Sequence, residues 1–554
     1  MTKSQIEKTE NRISKLPSGG ITYKTINGKR YAYYQWSEDG KQHSRRVKDT
    51  EFDTLSAQIK ERKLLQEKLK ESNVKPASTK SATKPAAAHT FSSPVLSGEE
   101  LKVFSDSVKG LPKRSCFAML SDFVQGSYPD KVMILHGLRS SGKTTLIRQA
   151  IVNLGKKAQT KAAYMRISSV DSKAFLSDIK ELVSKGYTYL FIDEASHLDG
   201  LPDTLAHLAD IYASRGIRIV VSGTDSLAFA LDKDGLLYGK CVVLKTTFVP
   251  YEDFCTINPN TTVEDYIRYG GTMIPVSSGI DNPFFSYSSV SEYLENAVIK
   301  NISHSLSANS LPESDAVCIC DSVRNCIRCI SENYLLNVLQ KYPECEDLST
   351  CFIKYIGNSH QSVCLKEYSH FLSLAGFTVD VPVYDLHTSS NSGSRTLFVQ
   401  PGLCYSLVQL TLTSFFNDKM FNPLSGAEKN YIIGRVLTCI KEQLFSDVVL
   451  LHSIRSFPEH NVAEASFDLG SYDVVVFDRS VSECNLTQAS LSSSPAEKTV
   501  FLQSDEFLSQ AERMFGTVAC KSVVYPGEDK YIDSIQYINA DCFLISNKSS
   551  KKDD

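Results

Sequence analysis

The chain has 554 residues, of which 42% are hydrophobic and 22% are charged, a composition typical of globular proteins. No run of about 18 apolar residues is present, which argues against a membrane-spanning helix, and the polar N-terminus lacks the apolar segment of a secretory signal. We therefore expect a cytoplasmic protein without a membrane partner, whose 15 cysteines are mostly reduced thiols. The length predicts about three or four domains.

The net charge of −3 is unevenly distributed. Residues 1–80 contain 18 Lys+Arg and 10 Asp+Glu, whereas the rest of the chain contains 42 and 53. A basic N-terminal region on an acidic body indicates an anionic partner, with nucleic acid as the first candidate. A solvated basic surface without a partner is the alternative.

The first predicted elements are three short strands within residues 21–47 and a charged helix over residues 50–71. Asn27-Gly28 and Asp39-Gly40 are hairpin turn signals. This arrangement resembles the small N-terminal DNA-binding modules of phage integrases and mobile-element proteins. Residues 1–74 are therefore predicted to be a basic β-β-β-α module that binds DNA or another nucleic acid. Side chains of the types that stack on bases or contact phosphates, some of which must instead form the core, are Tyr31, Tyr33, Trp36, Lys29, Arg30, Arg45 and Arg46.

Five further segments follow in chain order. Residues 75–98 are rich in Pro, Ala, Ser, Thr and Lys and are predicted to be a linker. Residues 99–255 alternate apolar strands with helices, which predicts an α/β domain with a parallel sheet. Residues 256–424 are predicted to be mostly helical, with a winged-helix rhythm near the end. Residues 425–548 are predicted to form a second α/β domain with one long helix and strands at YDVVVFD, KTVFLQ and KSVVY, before a tail at 549–554.

The stretch LHGLRSSGKTTLIRQA fits the pattern G-x-x-x-x-G-K-[ST] and lies between an apolar strand and a helix. A glycine-rich loop can turn successive backbone N–H groups toward an anion, and the helix N-terminus adds partial positive charge. We therefore expect a P-loop that binds ATP with Mg²⁺. Lys143 would contact the β- and γ-phosphates, and Thr144 would contact Mg²⁺. The predicted nucleotide-binding residues are Gly137, Ser140, Ser141, Gly142, Lys143, Thr144, Thr145 and, from a later strand, Thr224.

The stretch YLFIDEASHL places Asp193 and Glu194 at the end of an apolar strand. Asp193 is predicted to hold Mg²⁺, and Glu194 to polarise the attacking water, so that Glu194 and Lys143 are the predicted catalytic residues. Two acids that only cap a strand end are the alternative. A third strand, IRIVVSGTDS, ends in polar residues that could sense the γ-phosphate or begin an ordinary turn: Ser222, Thr224 and Asp225.

These motifs, together with the segment LYGKCVVLKTTFVPYEDF, resemble the bacterial and archaeal AAA-type P-loop ATPases that carry a C-terminal nuclease-like domain of unknown function. The resemblance spans about residues 100–545. YIRYGGTMIP is similar to that family's Tyr-x-x-x-Gly-Gly-x-Pro segment, with the proline displaced by two positions, and HQSVCLKEYSHFLSLAGFTV is similar to its winged helix. The matching positions are Tyr266, Gly270, Gly271 and Pro275 in the first segment and Tyr368, Leu372 and Gly376 in the second.

Two positions depart from the family pattern. Lys240 stands where the family usually has arginine, and lysine cannot form the same two-pronged contacts. The resemblance implies a restriction-endonuclease-like terminal fold, whose chemistry needs a helix Glu, a strand Asp and a Glu-x-Lys pair. Asp473 fits the strand position, but the helix glutamate is replaced near Thr438 and VFLQSD contains no lysine. A single carboxylate holds Mg²⁺ poorly, so we expect this domain to lack nuclease activity.

The cysteine-rich stretch VCICDSVRNCIRC allows either a metal site or a packed helix. Helical spacing puts Cys320, Val323, Ile327 and Ile330 on one apolar stripe, which favours core packing. The complete set of cysteines in question is Cys318, Cys320, Cys326 and Cys329.

The sequence therefore predicts an ATP hydrolase that couples its nucleotide state to work on nucleic acid. The alternative is a nucleotide-gated protein-interaction scaffold with slow hydrolysis. AAA-type sites often borrow a residue from a neighbour, so the resemblance also allows a homo-oligomer or a partner protein.

Overall fold

This computed structural model describes parts of residues 17–62 and residues 90–545, except for 169–170, 199, 225–236, 277–281, 304–311, 359–365 and 468–469. The chain divides into two compact units, Met1–Ala88 and His89–Asp554. The fold is mixed α/β, as the sequence predicts.

The first unit contains a three-stranded antiparallel sheet in the order β1-β2-β3, formed by β1 (Gly20–Ile26), β2 (Lys29–Glu38) and β3 (Lys41–Arg46). The three predicted strands are therefore confirmed. Tyr34 is buried, and exposed Arg45 forms an ion pair with Glu51 at 2.9 Å. Most of the helix predicted over 50–71 lies outside the described residues, as do five of the seven side chains predicted to contact nucleic acid: Tyr31, Tyr33, Trp36, Lys29 and Arg30.

The second unit begins with a six-stranded sheet in the order β4-β6-β7-β8-β5-β9. All neighbouring strands are parallel except β4, which runs antiparallel to β6. Strands that are buried on both faces have continuous apolar sequences. The runs VMIL, YLFI and IVV therefore predicted three of these strands. The strands are β4 (Val95–Ser97), β5 (Val132–His136), β6 (Ala162–Arg166), β7 (Tyr189–Asp193), β8 (Arg218–Gly223) and β9 (Cys241–Lys245).

Helices cover both faces of this sheet and give it two apolar cores. Phe175 and Ile179 pack on one face, and Phe123 and Ile147 pack on the other. The parallel strands all point their carboxyl ends to one edge, where the predicted site residues gather. The helices are α1 (Gly98–Asp106), α2 (Phe117–Gln125), α3 (Lys143–Asn153), α4 (Lys156–Gln159), α5 (Ser172–Ser184) and α6 (Leu201–His207).

The rest of the second unit contains an eight-stranded sheet in the order β11-β10-β12-β13-β14-β15-β17-β16. Eleven α-helices accompany this sheet in the part of the unit that the structure describes. The strands are β10 (Thr378–Asp385), β11 (Ser390–Phe398), β12 (Asn461–Phe467), β13 (Gly470–Asp478), β14 (Glu483–Ala489), β15 (Thr517–Tyr525), β16 (Lys530–Ile532) and β17 (Ile535–Asn539). The helices are α7 (Tyr251–Ile257), α8 (Val263–Tyr269), α9 (Tyr287–Leu294), α10 (Glu313–Lys341), α11 (Glu346–Asn358), α12 (Lys366–Leu374), α13 (Pro401–Phe416), α14 (Gly426–Ser456), α15 (Ala496–Gln503), α16 (Asp505–Phe515) and α17 (Ala540–Ile545).

This sheet crosses the boundary predicted between residues 424 and 425. Strand β10 from the first side pairs in parallel with β12 from the second, with Val383 opposite Glu464. One apolar core also joins α10 and α13 to α14 and to Val474 and Val476 of β13. The predicted boundary is therefore wrong as a structural division, since backbone hydrogen bonds and a common core hold both sides together.

Two local predictions have different outcomes. The segment KTVFLQ, predicted as a strand, is part of helix α15. Thr499 and Leu502 are buried while Val500 is exposed, a helical spacing that so short an apolar run cannot reveal. The winged helix stays a prediction, because the structure describes its helix α12 and the hairpin β10–β11 but not residues 359–365 between α11 and α12.

The cysteine-rich stretch lies on a single helix, α10. Cys320 and Cys326 are buried in the apolar core beside Val323 and Ile327, as the core interpretation predicts. Within the described residues, no three His, Cys, Asp or Glu side chains are grouped to hold a metal ion. None of the helices in that same part of the chain is long and apolar enough to cross a membrane.

Candidate functional site

The candidate site begins at the loop between β5 and α3. Gly142 has φ 88° and Ser140 has φ 63°, so the loop needs left-handed backbone at both positions. A Cβ at Gly137 would lie 2.8 Å from the backbone nitrogen of Thr247, so only glycine fits there. The glycines that the motif requires therefore have local structural reasons in this chain.

Lys143 is buried at the first turn of α3. Its Nζ donates to the backbone oxygens of Gly137 (2.8 Å) and Leu138 (2.9 Å). Burial lowers the pKa of Lys143 from 10.5 to about 8, although the nearby carboxylates of Glu194 and Asp193 act in the opposite direction. The ammonium group is thus held inside the loop and close to both predicted acids.

Asp193 ends β7, where three hydroxyl groups surround its buried carboxylate. Thr144 Oγ1 donates to Asp193 Oδ2 at 2.8 Å, and Tyr164 Oη donates to the same oxygen at 2.9 Å. Ser222 Oγ donates to Asp193 Oδ1. Burial, and then the charge of Asp193, raise the pKa of Tyr164, so its hydroxyl stays protonated as a donor.

Glu194 follows with φ 59°, a left-handed conformation that is uncommon for a residue other than glycine. Its backbone nitrogen donates to Ser222 Oγ at 3.4 Å. Strained backbone of this kind is often found at functional sites. Here it accompanies a carboxylate that is only half-buried and lines a cavity.

That cavity has a volume of about 380 Å³ and brings most of the predicted site residues together. Ser141 is an exception, because its side chain is buried and contacts Leu138 O (2.9 Å) and Thr246 Oγ1 (2.8 Å). Of the polar residues in and after the end of β8, Ser222 contacts Asp193, Thr224 lines the cavity, and Asp225 lies outside the described residues. The lining residues are Arg139, Ser140, Gly142, Lys143, Thr144, Thr145, Arg166, Glu194 and Thr224.

Three residues at this site were not predicted from the sequence. Arg139 and Arg166 line the cavity, and Tyr164 contacts Asp193. Arg139 occupies an unrestricted position of the loop pattern, so the pattern gives it no weight. Strand pairing could have pointed to Arg166, since it lies opposite Asp193 on the neighbouring strand.

Comparison with known families bears on this part of the chain. Residues 129–255 match the AAA domain family, and this range contains the loop and both acids. Residues 1–57 match a domain of unknown function, DUF6788, which assigns no activity to the N-terminal module. The integrase-like and nuclease-like resemblances stay predictions.

Among solved structures, the chain is similar to a DNA polymerase III gamma subunit-related protein from Thermotoga maritima. The identity is 10%, the match covers 59% of this chain and 100% of that chain, and the TM-score is 0.22. None of the curated proteins matches this chain.

The loop between β5 and α3 is also held by residues outside the six-stranded sheet. Met273 lies in the Gly-Gly segment after α8, and its backbone nitrogen donates to Ser140 O at 2.8 Å. Tyr293 Oη of α9 lies 3.4 Å from Arg139 O and donates to Gln400 Oε1 at 3.0 Å. The P-loop backbone therefore contacts two separate elements of the region after residue 256.

Arg114 connects the same loop to the start of α7. Its guanidinium is buried and donates to Asp253 Oδ2 (2.8 Å), Ser141 O (2.6 Å), Thr246 O (2.9 Å) and Phe248 O (2.8 Å). No sequence pattern points to Arg114, because an isolated arginine before a helix resembles any surface arginine.

Replacing Arg114 with methionine is expected to lower the free energy of unfolding by about 3–5 kcal/mol, since Asp253 would remain as an unpaired buried charge. Urea unfolding measures this. Arg324→Met is the matched control, because Arg324 pairs with Glu295 at an exposed site (2.9 Å), where a pair contributes about 0–1 kcal/mol. Equal losses in the two variants would contradict the special role of Arg114.

The structure also locates the residues of the nuclease-like prediction. Asp473 Oδ1 lies 3.4 Å from Lys341 Nζ, and Asp473 Oδ2 accepts from Lys498 Nζ (3.1 Å) and from the backbone nitrogen of Ala489 (3.0 Å). Burial raises the pKa of Asp473, but the two ammonium groups outweigh it and lower that pKa to about 2. Both carboxylate oxygens are therefore engaged by cations or backbone.

VFLQSD contains no lysine, as the sequence analysis states, but a lysine two residues before it contacts Asp473. Lys498 reaches Asp473 from helix α15, the segment that was predicted to be a strand. Glu442, one turn after Thr438 on α14, accepts from the backbone nitrogen of Leu491 at 2.9 Å.

Proposed function

We propose that the protein binds and hydrolyses ATP in its AAA domain, passes the nucleotide state to residues 256–545, and binds nucleic acid through residues 1–74. The observation that carries this proposal is the arrangement of Lys143, Thr144 and Glu194 around one cavity, with Asp193 hydrogen-bonded to Thr144.

The residues that line the cavity suggest distinct roles. Lys143 would leave the carbonyls of its own loop and donate to the β- and γ-phosphates, and Arg139 and Arg166 add positive charge for a triphosphate. Glu194 would accept a proton from the attacking water. Thr224 would donate a hydrogen bond from its hydroxyl to the γ-phosphate, which its place in the cavity wall supports.

The donor set also fits Mg²⁺, because it consists of a hydroxyl and a carboxylate 2.8 Å apart and hard cations take oxygen ligands. Thr144 and Asp193 would hold the ion. When bound, Mg²⁺ neutralises charge on the phosphates during transfer. Tyr164 and Ser222 would keep the Asp193 carboxylate oriented.

Coupling to the rest of the chain is supported by the contacts of the loop backbone with Met273 and Tyr293. Gln400, which accepts from Tyr293, also donates through Nε2 to Gly271 O at 2.6 Å. A loop that moves when phosphate binds would therefore disturb α9 and also Gln400, the residue directly before α13. We infer that these contacts carry the nucleotide state outward.

Steady-state ATP hydrolysis with and without DNA tests the proposal. We expect DNA to raise the rate, and we expect the rise to disappear when residues 1–74 are removed or when salt is raised, because phosphate contacts weaken steeply with salt. A basal rate that no nucleic acid changes would instead favour the nucleotide-gated scaffold. The absence of ATP binding would contradict both functions.

The affinity for ATP should fall as the pH rises above about 8. Lys143 has a pKa of about 8 without ligand, and phosphates would raise it in the complex, so binding above pH 8 must be accompanied by proton uptake. The affinity should then fall by up to about tenfold per pH unit. Calorimetry in two buffers of different ionisation enthalpy measures this uptake, and binding without it at pH 9 would contradict the prediction.

A further inference from the structure

A second cavity, of about 300 Å³, lies at the junction between the AAA domain and the eight-stranded sheet. His136 at the end of β5 and Thr247 after β9 line it from the AAA domain. The turn between α12 and β10 and the last turns of α14 line it from the other side, at Gly376 and Leu451. The volume is at the lower end of the range for small-molecule sites, about 300–1,000 Å³.

The charged residues of this cavity are all cations. Lys245 and Arg455 line it, and no acidic residue does. Arg455 donates to Ser115 Oγ at 2.8 Å, and no carboxylate in the described part of the chain forms an ion pair with either cation. A guanidinium has five N–H donors, so most of the hydrogen-bonding capacity of Arg455 is available to a ligand.

One buried hydroxyl of the cavity wall is unsatisfied. Thr378 is 2% exposed, and its Oγ1 has no hydrogen-bond partner among the described residues. Leaving such a group unpaired is unfavourable, and a ligand acceptor at this position would offset that cost. The remaining wall is mostly apolar, with Phe248, Val379 and Ile454 among its side chains.

We propose that this cavity binds a small organic anion, a carboxylate or phosphate monoester on a short apolar chain. Lys245, Arg455 and the Thr378 hydroxyl receive the anionic group, and the apolar wall receives the chain.

The cavity also touches the support of the P-loop. Thr247 lines it, and Thr247 Oγ1 accepts from the backbone nitrogen of Leu138 at 3.2 Å. An occupant therefore stabilises the loop in the arrangement in which Lys143 is engaged by the carbonyls of Gly137 and Leu138. Because coupling between two sites is reciprocal, the anion weakens nucleotide binding and nucleotide weakens binding of the anion. This second part rests on the proposed function, whereas the site itself does not.

Calorimetric titration of the full chain with hexanoate and hexyl phosphate tests the site. Titrations use the Lys143→Ala background, so that phosphate bound in the P-loop cannot mimic the result. We expect one saturable site and at least tenfold weaker binding of hexan-1-ol and hexylamine, because these lack the negative charge. Hexan-1-ol binding as tightly as hexanoate would overturn the proposal.

Variants locate the site and separate it from the proposed function. Lys245→Met, Arg455→Met and Thr378→Val should each weaken hexanoate binding, the first two by about tenfold, while the exposed Lys161→Met leaves it unchanged. Since Lys245 is exposed, its variant should fold even if Arg455→Met does not. Affinities equal to that of Lys161→Met in all three variants would overturn the site. In the unsubstituted chain, hexanoate should weaken ADP binding, and an unchanged ADP affinity would overturn the coupling alone.

Discussion

Replacing Glu194 with glutamine is expected to lower the rate of ATP hydrolysis by about 10²- to 10⁴-fold, the usual contribution of a positioned general base. Glutamine has nearly the same shape, but its amide cannot accept the proton of an attacking water. Glu194 lines the same cavity as Lys143 and Thr144, so the loss should appear in turnover. ATP affinity should change little, because the groups that would contact phosphate stay in place.

Single-turnover hydrolysis and equilibrium ATP binding, measured on the same preparation, check this expectation. Glu181→Gln is a suitable control, since the Glu181 side chain forms an i,i+4 ion pair with Lys185 on α5 (3.1 Å), away from the cavity. A Glu194→Gln variant that hydrolyses ATP at the unsubstituted rate would remove Glu194 from the proposed mechanism. A variant that no longer binds ATP would show instead that Glu194 supports the fold of the loop.

Replacing Lys143 with alanine is expected to weaken ATP binding by about 10²- to 10⁴-fold. The ammonium group would make two charge-assisted hydrogen bonds to phosphates, each contributing about 1.5–3 kcal/mol. Its carbonyl partners in this structure, Gly137 and Leu138, belong to the same loop, so the lysine is already held near the phosphate position.

Fluorescence titration with a labelled ATP analogue measures the affinity, and urea unfolding verifies that the variant folds. Lys157→Ala is the matched control because Lys157 is exposed on α4, and its affinity should stay within about twofold, since isolated surface charges contribute little. Full ATP binding by a folded Lys143→Ala variant would exclude the P-loop as the nucleotide site.

The parts of the candidate site that follow from local chain geometry could be predicted from the sequence. Gly142 and Lys143 stand at fixed spacing because one loop must turn and begin a helix, and Asp193 follows an apolar run because a buried parallel strand ends there. Arg114, Tyr164 and Tyr293 could not be predicted. Their contacts join residues between 27 and 154 positions apart, and no local pattern records them.

The fold was predictable to a similar extent. Strands β5 to β9 of the six-stranded sheet are long enough and apolar enough to be recognised one by one. Strand β4 was missed, because it has three residues and lies within the segment 75–98 that was predicted to be a linker. The pairing of β10 with β12 was not recognisable, because it depends on which edges meet after the 31-residue helix α14 has crossed the sheet. The prediction for KTVFLQ was wrong for a different reason. Six residues fit either the helical or the strand period, and the packing of Leu502 in the apolar core decides for the helix.

The sheet that spans residue 424 limits how this protein can exchange parts with others. Recombination between genes joins segments without providing matching strand partners. An exchange at that point would therefore separate β12 from β10, and both strands would have an unpaired edge. Residues 378–545 should therefore be inherited as one block. Shuffling of modules is expected instead near residue 88, where one compact unit ends and the next begins.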